Sequence, residues 1–137
     1  MQRYLIAPFA AAALAIGGQA FAHHSFAATY VEAESISIEG DLVQFQLRNP
    51  HAYVHVVVKE KDGTTNRWVV EWGSTSQLSG TGVTGETLRP GDHVIITGNP
   101  GRDPADHRLR LLTFRRPKDA NHPAEWSWGL LPDESFK

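Results

Sequence analysis

The stretch SISIEGDLVQFQL, residues 35–47, decides the fold. Apolar residues alternate with polar ones along it, which is the pattern of a strand with one buried side. Ile38 and Leu42 follow one parity, whereas Phe45 follows the other. This change of phase around residues 40–43 predicts a long strand that contains a β-bulge and bends there.

Four more strand-length segments follow in the sequence. They are HAYVHVVVK (51–59), RWVVEW (67–72), HVIITG (93–98) and RLRLLTF (108–114). The glycine-rich link between the third and fourth, GSTSQLSGTGVTGETLRPGD (73–92), allows only short helical turns. Five strands with a bulged first strand predict an all-β fold, a small five-stranded OB-like barrel over residues 36–116. A five-stranded open sandwich is the alternative.

The turn between the second and third strands allows their register to be predicted. The apolar faces of both strands would meet in the core, and a three-residue loop at 62–64 then fixes the pairing. This register places His55 directly opposite Glu71 on the outward face, with Tyr53 in the same row. Because this face is the usual binding surface of an OB fold, Tyr53, His55 and Glu71 form the predicted ligand face. A carboxylate opposite His55 would raise the pKa of its imidazole.

The chain begins with the features of a secretory signal peptide. Residues 1–22, MQRYLIAPFAAAALAIGGQAFA, combine Arg3, an apolar run too short to span a bilayer, and a final Ala-Phe-Ala. The sequence therefore predicts a periplasmic or secreted protein whose mature chain starts at His23. Cleavage after Ala20 is the competing possibility. Residues 23–35 then form an N-terminal arm.

Residues 117–137 form a C-terminal tail in which no period is evident. Trp126 and Trp128 lie in this tail, beyond the last strand, and at least one of them is expected to pack on the barrel. Trp68 and Trp72 of the third strand are expected to lie in the core.

Composition argues against several classes of function. The chain has 13 Lys and Arg against 15 Asp and Glu, so its formal net charge of −2 becomes −3 once Arg3 is removed. This charge gives no support for binding nucleic acid or anionic membranes. The sequence has no cysteine, and no second apolar stretch is long enough to be a membrane segment after processing. Motifs of nucleophilic, zinc-protease and phosphate-loop enzymes are missing, so an enzyme is the less favoured interpretation.

Histidines at the predicted mature start suggest a metal site. After cleavage at Ala22, His23 offers its free amine and its own imidazole to one ion, and such nitrogen ligands suit tetragonal Cu(II). A second imidazole would come from His24, or from His51 if the arm folds back along the first strand. Cleavage after Ala20 would give an amine, two amides and the His23 imidazole, which also suit copper. The alternative is that these histidines are solvated. Three others fall singly in turns or at strand ends and are expected to be solvated: His93, His107 and His122.

Four motifs together resemble a known family. They are AHHSFAATY (22–30), NPHAYV (49–54), WVVEWGS (68–74) and LRPGD (88–92). This combination resembles a family of small secreted bacterial proteins, catalogued as a domain of unknown function, whose members typically begin A-H-H-S-F-A and carry N-P-H-A. The resemblance covers about residues 22–115 and implies an exported, OB-like small barrel. The family pattern has a helical, tryptophan-containing segment where this chain has the glycine-rich SGTGVTGET (79–87).

The predicted function is an exported binding module that holds copper through the mature N-terminal histidine. The alternative is a metal-free periplasmic accessory protein that binds a partner protein or a small ligand on the face of strands 2 and 3. A copper-dependent oxidase is a minor alternative.

Overall fold

The computed structural model describes residues 26–129. Its strands and helices, in chain order, are β1 (Ile36–Gln46), β2 (Tyr53–Lys59), β3 (Thr65–Glu71), α1 (Thr75–Gly80), β4 (His93–Pro100), a 3-10 helix (Pro104–Asp106), β5 (Arg108–Arg116) and β6 (Trp126–Trp128). The strands form one sheet in the order β3-β2-β1-β4-β5-β6, and a parallel pairing of β3 with β5 closes the first five into a barrel. This is the OB-like barrel that the sequence predicts, with β6 as an additional strand.

The first strand contains the predicted bulge. Leu42 is paired with Val56 of β2 and Gln44 with His55, so Val43 is the extra residue. An extra residue reverses the alternation of side chains, and apolar residues before and after it therefore face the same core. The phase change in the sequence is explained by this bulge.

The β2–β3 hairpin has a different register from the predicted one. Tyr53 is paired with Glu71, and His55 with Val69. The predicted pair of His55 with Glu71 is therefore wrong. The loop begins one residue earlier than predicted, because Gly63, with a φ of 87°, occupies the left-handed position that ends a three-residue hairpin loop. A shift of two residues between the strands keeps each side chain on its predicted face.

The core is formed by the inward faces of the five barrel strands and by residues of the link between β3 and β4. Trp72 is 4% exposed and its ring stacks on that of Phe114 at a centroid distance of 5.5 Å, which confirms its predicted place in the core. Trp68 is only partly buried, and its indole N–H donates a hydrogen bond to Glu60 at 3.2 Å. The largest fully buried side chains are Tyr30, Phe114, Leu42, Leu78, Ile96, Leu109, Val54, Val56, Val70, Val83 and Val94.

The glycine-rich link forms one short helix, α1, as predicted. The Ser74 side chain accepts a hydrogen bond from the Gln77 N–H, and the Gln77 side chain accepts one from the Ser74 N–H. This reciprocal capping starts the helix, and Leu78 anchors it in the core. Within residues 26–129, no helix has the length and apolar character needed to cross a membrane.

The tail packs on the barrel through both of its tryptophans. The Trp126 ring lies edge-on to that of Phe114 at a centroid distance of 5.6 Å, and the Trp128 ring lies edge-on to that of Trp72 at 5.1 Å. The Trp128 indole N–H also donates a hydrogen bond to the Thr81 hydroxyl at 2.9 Å. The prediction that at least one tail tryptophan packs on the barrel is confirmed.

Candidate functional site

The loop between β1 and β2 holds His51 at the end of the β2–β3 hairpin. Ala52 continues the strand pairing, since its N–H donates to the Gly73 carbonyl at 2.9 Å and its carbonyl accepts from the Trp72 N–H at 2.8 Å. Asn49 fixes the other end of the loop by accepting a hydrogen bond from the Thr75 N–H at 3.1 Å. These contacts bring the His51 ring to the Trp72 carbonyl.

The contacts of His51 determine which of its ring nitrogens carries the proton. Its Nδ1 lies 3.3 Å from the Trp72 carbonyl oxygen and 3.5 Å from Oε1 of Glu71. A carbonyl and a carboxylate only accept hydrogen bonds, so Nδ1 is the donor and the neutral ring keeps its lone pair on Nε2. No residue between 26 and 129 forms a hydrogen bond with that Nε2.

Glu71 is buried beneath the N-terminal arm. Its carboxylate lies 3.5 Å from Nδ1 of His51. Glu71 is only 8% exposed, so it does not form the open ligand face with Tyr53 and His55 that the sequence predicted. The hydroxyl of Tyr30, a residue with no exposed surface, donates a hydrogen bond to Glu71 Oε2 at 2.5 Å. Burial raises the pKa of the Tyr30 phenol, and the bond to Glu71 raises it further, so Tyr30 remains protonated.

The arm approaches His51 through an aromatic contact that the sequence does not predict. Residues 26–29 form a helical turn, and the Phe26 ring meets the His51 ring edge-on at a centroid distance of 5.5 Å and an angle of 88°. The Arg110 guanidinium covers Phe26 at 4.0 Å from the ring centroid and pairs with Glu32 at 2.8 Å. The arm therefore folds back to the end of β3. The spacing of Phe26 and Tyr30 by four residues is the only local signal for this turn.

The predicted metal ligands are only partly within the described residues. His23 and His24 lie outside them. His51 lies inside, at the point that the arm reaches. Among residues 26–129, no group of three or more histidine, aspartate and glutamate side chains is arranged to hold a metal ion.

The outward side of β2 carries Tyr53 and His55 beside two arginines. The Arg48 guanidinium lies 4.8 Å from the centroid of the Tyr53 ring. Burial lowers the pKa of His55, and the charges of Arg67 and Arg48 lower it further. The expected rise in the pKa of His55 is therefore wrong, because the ring is partly buried, its charged neighbours are cations, and Glu71 is not opposite. Arg67 lies on the same face of β3 as Glu71, so strand alternation alone predicts it to point outward.

The remaining histidines each contact other side chains. His93 is nevertheless solvated as expected, since 44% of its side chain is exposed. His93 bridges Glu39 at 2.8 Å and Asp41 at 3.0 Å, and these two hydrogen bonds raise its pKa. The other two have partners of their own. His122 lies between Asp92 at 3.3 Å and Asp119 at 3.1 Å, and the His107 ring meets that of Trp68 at 5.2 Å.

Comparison with known proteins identifies the family but no activity. A model described as a family of unknown function, DUF6152, matches residues 12–110, and the chain therefore belongs to this family. A mitochondrial single-stranded DNA-binding protein of S. cerevisiae, Rim1, is similar in structure with a TM-score of 0.38 and 12% identity, over 69% of this chain and 82% of that one. A small single-stranded DNA-binding protein of Streptomyces coelicolor gives a TM-score of 0.37 and 16% identity, over 61% and 91%. No curated protein matches the chain.

Proposed function

We propose that this member of a family of unknown function is an exported binding module that holds Cu(II) through the amine and imidazole of His23, together with His51. The observation that carries the proposal is the contact between Phe26 and His51, whose ring centroids are 5.5 Å apart. Three residues of chain, from His23 to Phe26, span at most about 10 Å. The mature N-terminus is therefore within reach of the His51 ring.

His51 has the chemistry of a metal ligand. Its Nδ1 donates towards the Trp72 carbonyl and the Glu71 carboxylate, at 3.3 and 3.5 Å. Such partners on one ring nitrogen are typical of ligating histidines, because they fix the ring and leave the other nitrogen free to bind. Tyr30 in turn holds Glu71 through a bond of 2.5 Å. The residues present thus fit a metal that takes Nε2 of His51.

A set of one amine and two imidazoles suits copper. Cu(II) prefers nitrogen ligands in a tetragonal arrangement and is bound more tightly than Zn(II) by most such sites. His24 is the alternative source of the second imidazole, and cleavage after Ala20 would change the amine ligand to Phe21. The proton on an N-terminal amine, with a pKa near 7.7–8.0, must leave on binding, so affinity should fall as pH drops from about 8 to 5.

The test is to express the chain with its own residues 1–22, purify it after export, and measure its mass and its affinity for Cu(II). We expect a chain that starts at His23, one tight Cu(II) per chain, and a nitrogen-rich tetragonal spectrum. His51→Ala should weaken binding. His93→Ala, which removes a histidine already bridged by Glu39 and Asp41, is the matched control and should not.

Blocking the amine gives the decisive comparison. Acetylation of the N-terminus, or one extra residue before His23, should weaken binding sharply. If a chain that starts at His23 binds copper no better than the blocked chain, the copper proposal fails. The metal-free accessory function would then take its place, and the arginines around Tyr53 and His55 are the observation that favours it.

A further inference from the structure

We propose that the outward side of the β2–β3 hairpin docks an extended acidic segment of a partner protein. The docking surface, called here the arginine face, consists of Arg48, Tyr53, His55, Val57 and Arg67. The inference goes beyond copper binding and uses none of the proposed copper ligands.

The arginine face is a row of side chains with a cation at each end. Tyr53, His55 and Val57 point outward in alternate positions along β2 and are half-buried. The Arg48 guanidinium lies 4.8 Å from the Tyr53 ring centroid at one end, and Arg67 is paired with Val57 at the other. Four residues of strand separate the two ends, a distance of about 13 Å.

The two arginines of this face are exposed and have no ion-pair partner among residues 26–129. Neither guanidinium forms an ion pair with a carboxylate of residues 26–129. Many other arginines of the chain do form such pairs, namely Arg89, Arg110, Arg115 and Arg116. The unpaired charges make this face locally positive, although the whole chain has a formal net charge of −2.

His55 reports the same positive potential from the middle of the row. After burial, the charges of Arg67 and Arg48 are the causes that lower its pKa. Its Nδ1 is buried and has no hydrogen-bond partner among the described residues. A carboxylate bound between the arginines would lower this potential.

The carboxylates paired with Val57 and Tyr53 in the sheet are both engaged elsewhere. Asp41 of β1, the sheet partner of Val57, accepts a hydrogen bond from His93 at 3.0 Å. Glu71 of β3, the sheet partner of Tyr53, is buried under the arm. They therefore leave the two guanidinium groups available to a ligand.

An acidic peptide fits this face better than a single-stranded nucleic acid does. Binding of single strands relies on several aromatic platforms and a strongly basic groove. This face has only two rings, those of Tyr53 and His55, both half-buried, and one side of the Tyr53 ring is taken by Arg48. In an extended peptide, side chains at positions i and i+4 lie on the same side and about 13 Å apart, which matches the length of the row. Carboxylates at those positions would each meet a guanidinium, which binds them through paired hydrogen bonds.

The experiment titrates the full chain with an acetylated decapeptide of alternating Glu and Ser, in low salt and with a metal chelator present. The chelator makes the result independent of the copper proposal. NMR signals of the His55 ring should move on binding, while those of His122, which is held by Asp92 and Asp119, should not. Binding should weaken as salt is raised.

Variants and competing probes decide the outcome. Arg48→Gln and Arg67→Gln should each weaken peptide binding about tenfold, as expected for the loss of a charge-assisted pair. Arg89→Gln, the same change at an exposed arginine on the link before β4, should leave it unchanged. Thermal unfolding of each variant checks that it is folded. Failure of the folded chain to bind the peptide would overturn the proposal. So would binding by both face variants that is as tight as binding by the unchanged chain, or tighter binding of a twelve-residue oligothymidine than of the peptide.

Discussion

Tyr30→Phe tests whether the arm is held on the barrel by one buried hydrogen bond. The change keeps the ring, which has no exposed surface, and removes the hydroxyl that donates to Glu71 at 2.5 Å. Glu71 is itself only 8% exposed, so water cannot replace the lost donor at no cost. A hydrogen bond to a charged group contributes about 1.5–3 kcal/mol, so we expect the free energy of unfolding at pH 7 to fall by about 2 kcal/mol.

Chemical denaturation followed by tryptophan fluorescence measures this loss, provided that the dependence on denaturant is the same in both proteins. Tyr53→Phe is the matched control, since the Tyr53 hydroxyl has no hydrogen-bond partner in the part of the chain that the structure describes. We expect the control to change the free energy of unfolding by less than about 0.5 kcal/mol, as surface substitutions usually do.

The pH dependence gives a second readout, which reports the burial of the Tyr30 hydroxyl together with its bond to Glu71. The pKa of Tyr30 is raised in the folded chain, so its contribution is complete below the unfolded value of about 10 and is lost as pH rises above it. Above pH 10, stability should fall by up to about 1.4 kcal/mol per pH unit through this residue alone. Tyr30→Phe has no hydroxyl to ionise, so the difference in the free energy of unfolding between the two proteins should become smaller above pH 10. A difference that is negligible at pH 7, or that is constant from pH 7 to 11, would refute the reasoning.

Three further predictions concern the barrel, the tail and the arginine face. Gly40→Ala places a methyl group against a backbone carbonyl of β2 and should lower the free energy of unfolding by about 1–3 kcal/mol. Gly80→Ala meets open space and should leave that free energy unchanged or raise it. Equal effects of the two changes would contradict this prediction. Truncation after Ala120 removes both tail tryptophans and should cost about 3 kcal/mol; an undiminished free energy of unfolding would show that their packing contributes nothing. His55 should titrate below 6.5 by NMR, and Arg67→Gln should move its pKa back towards 6.5; an unchanged value would mean that the two are not coupled.

The register of the hairpin shows what alternation in a sequence can and cannot predict. Side-chain parity correctly assigned the faces of β2 and β3, because a strand has only two faces. It could not choose between registers that differ by two residues, because both put the same residues inside. The choice was made by Gly63, which takes a φ of 87° and therefore ends the loop instead of lying in its middle.

The site depends on contacts that local patterns do not contain. The bond between Tyr30 and Glu71 joins residues 41 positions apart, and the contact of Phe26 with His51 joins the arm to a loop across the first strand. The four-residue spacing of Phe26 and Tyr30 in the arm indicates a helical turn, but it does not predict where on the barrel that turn packs. His51, in contrast, was predicted as a candidate from its residue type and from the reach of the arm, and its partners became evident only from the fold.

Both proposed sites depend on the loop between β1 and β2. Arg48 lies over Tyr53 on the outward side, and His51, three residues later, turns towards the buried Glu71. Tyr53 and Glu71 are themselves directly paired across the hairpin. A ligand that moved Arg48 would act on the short segment that also positions His51. If the two sites are coupled in this way, copper must change the affinity for the acidic segment by the same factor as the segment changes the affinity for copper, because binding free energies around a closed cycle sum to zero.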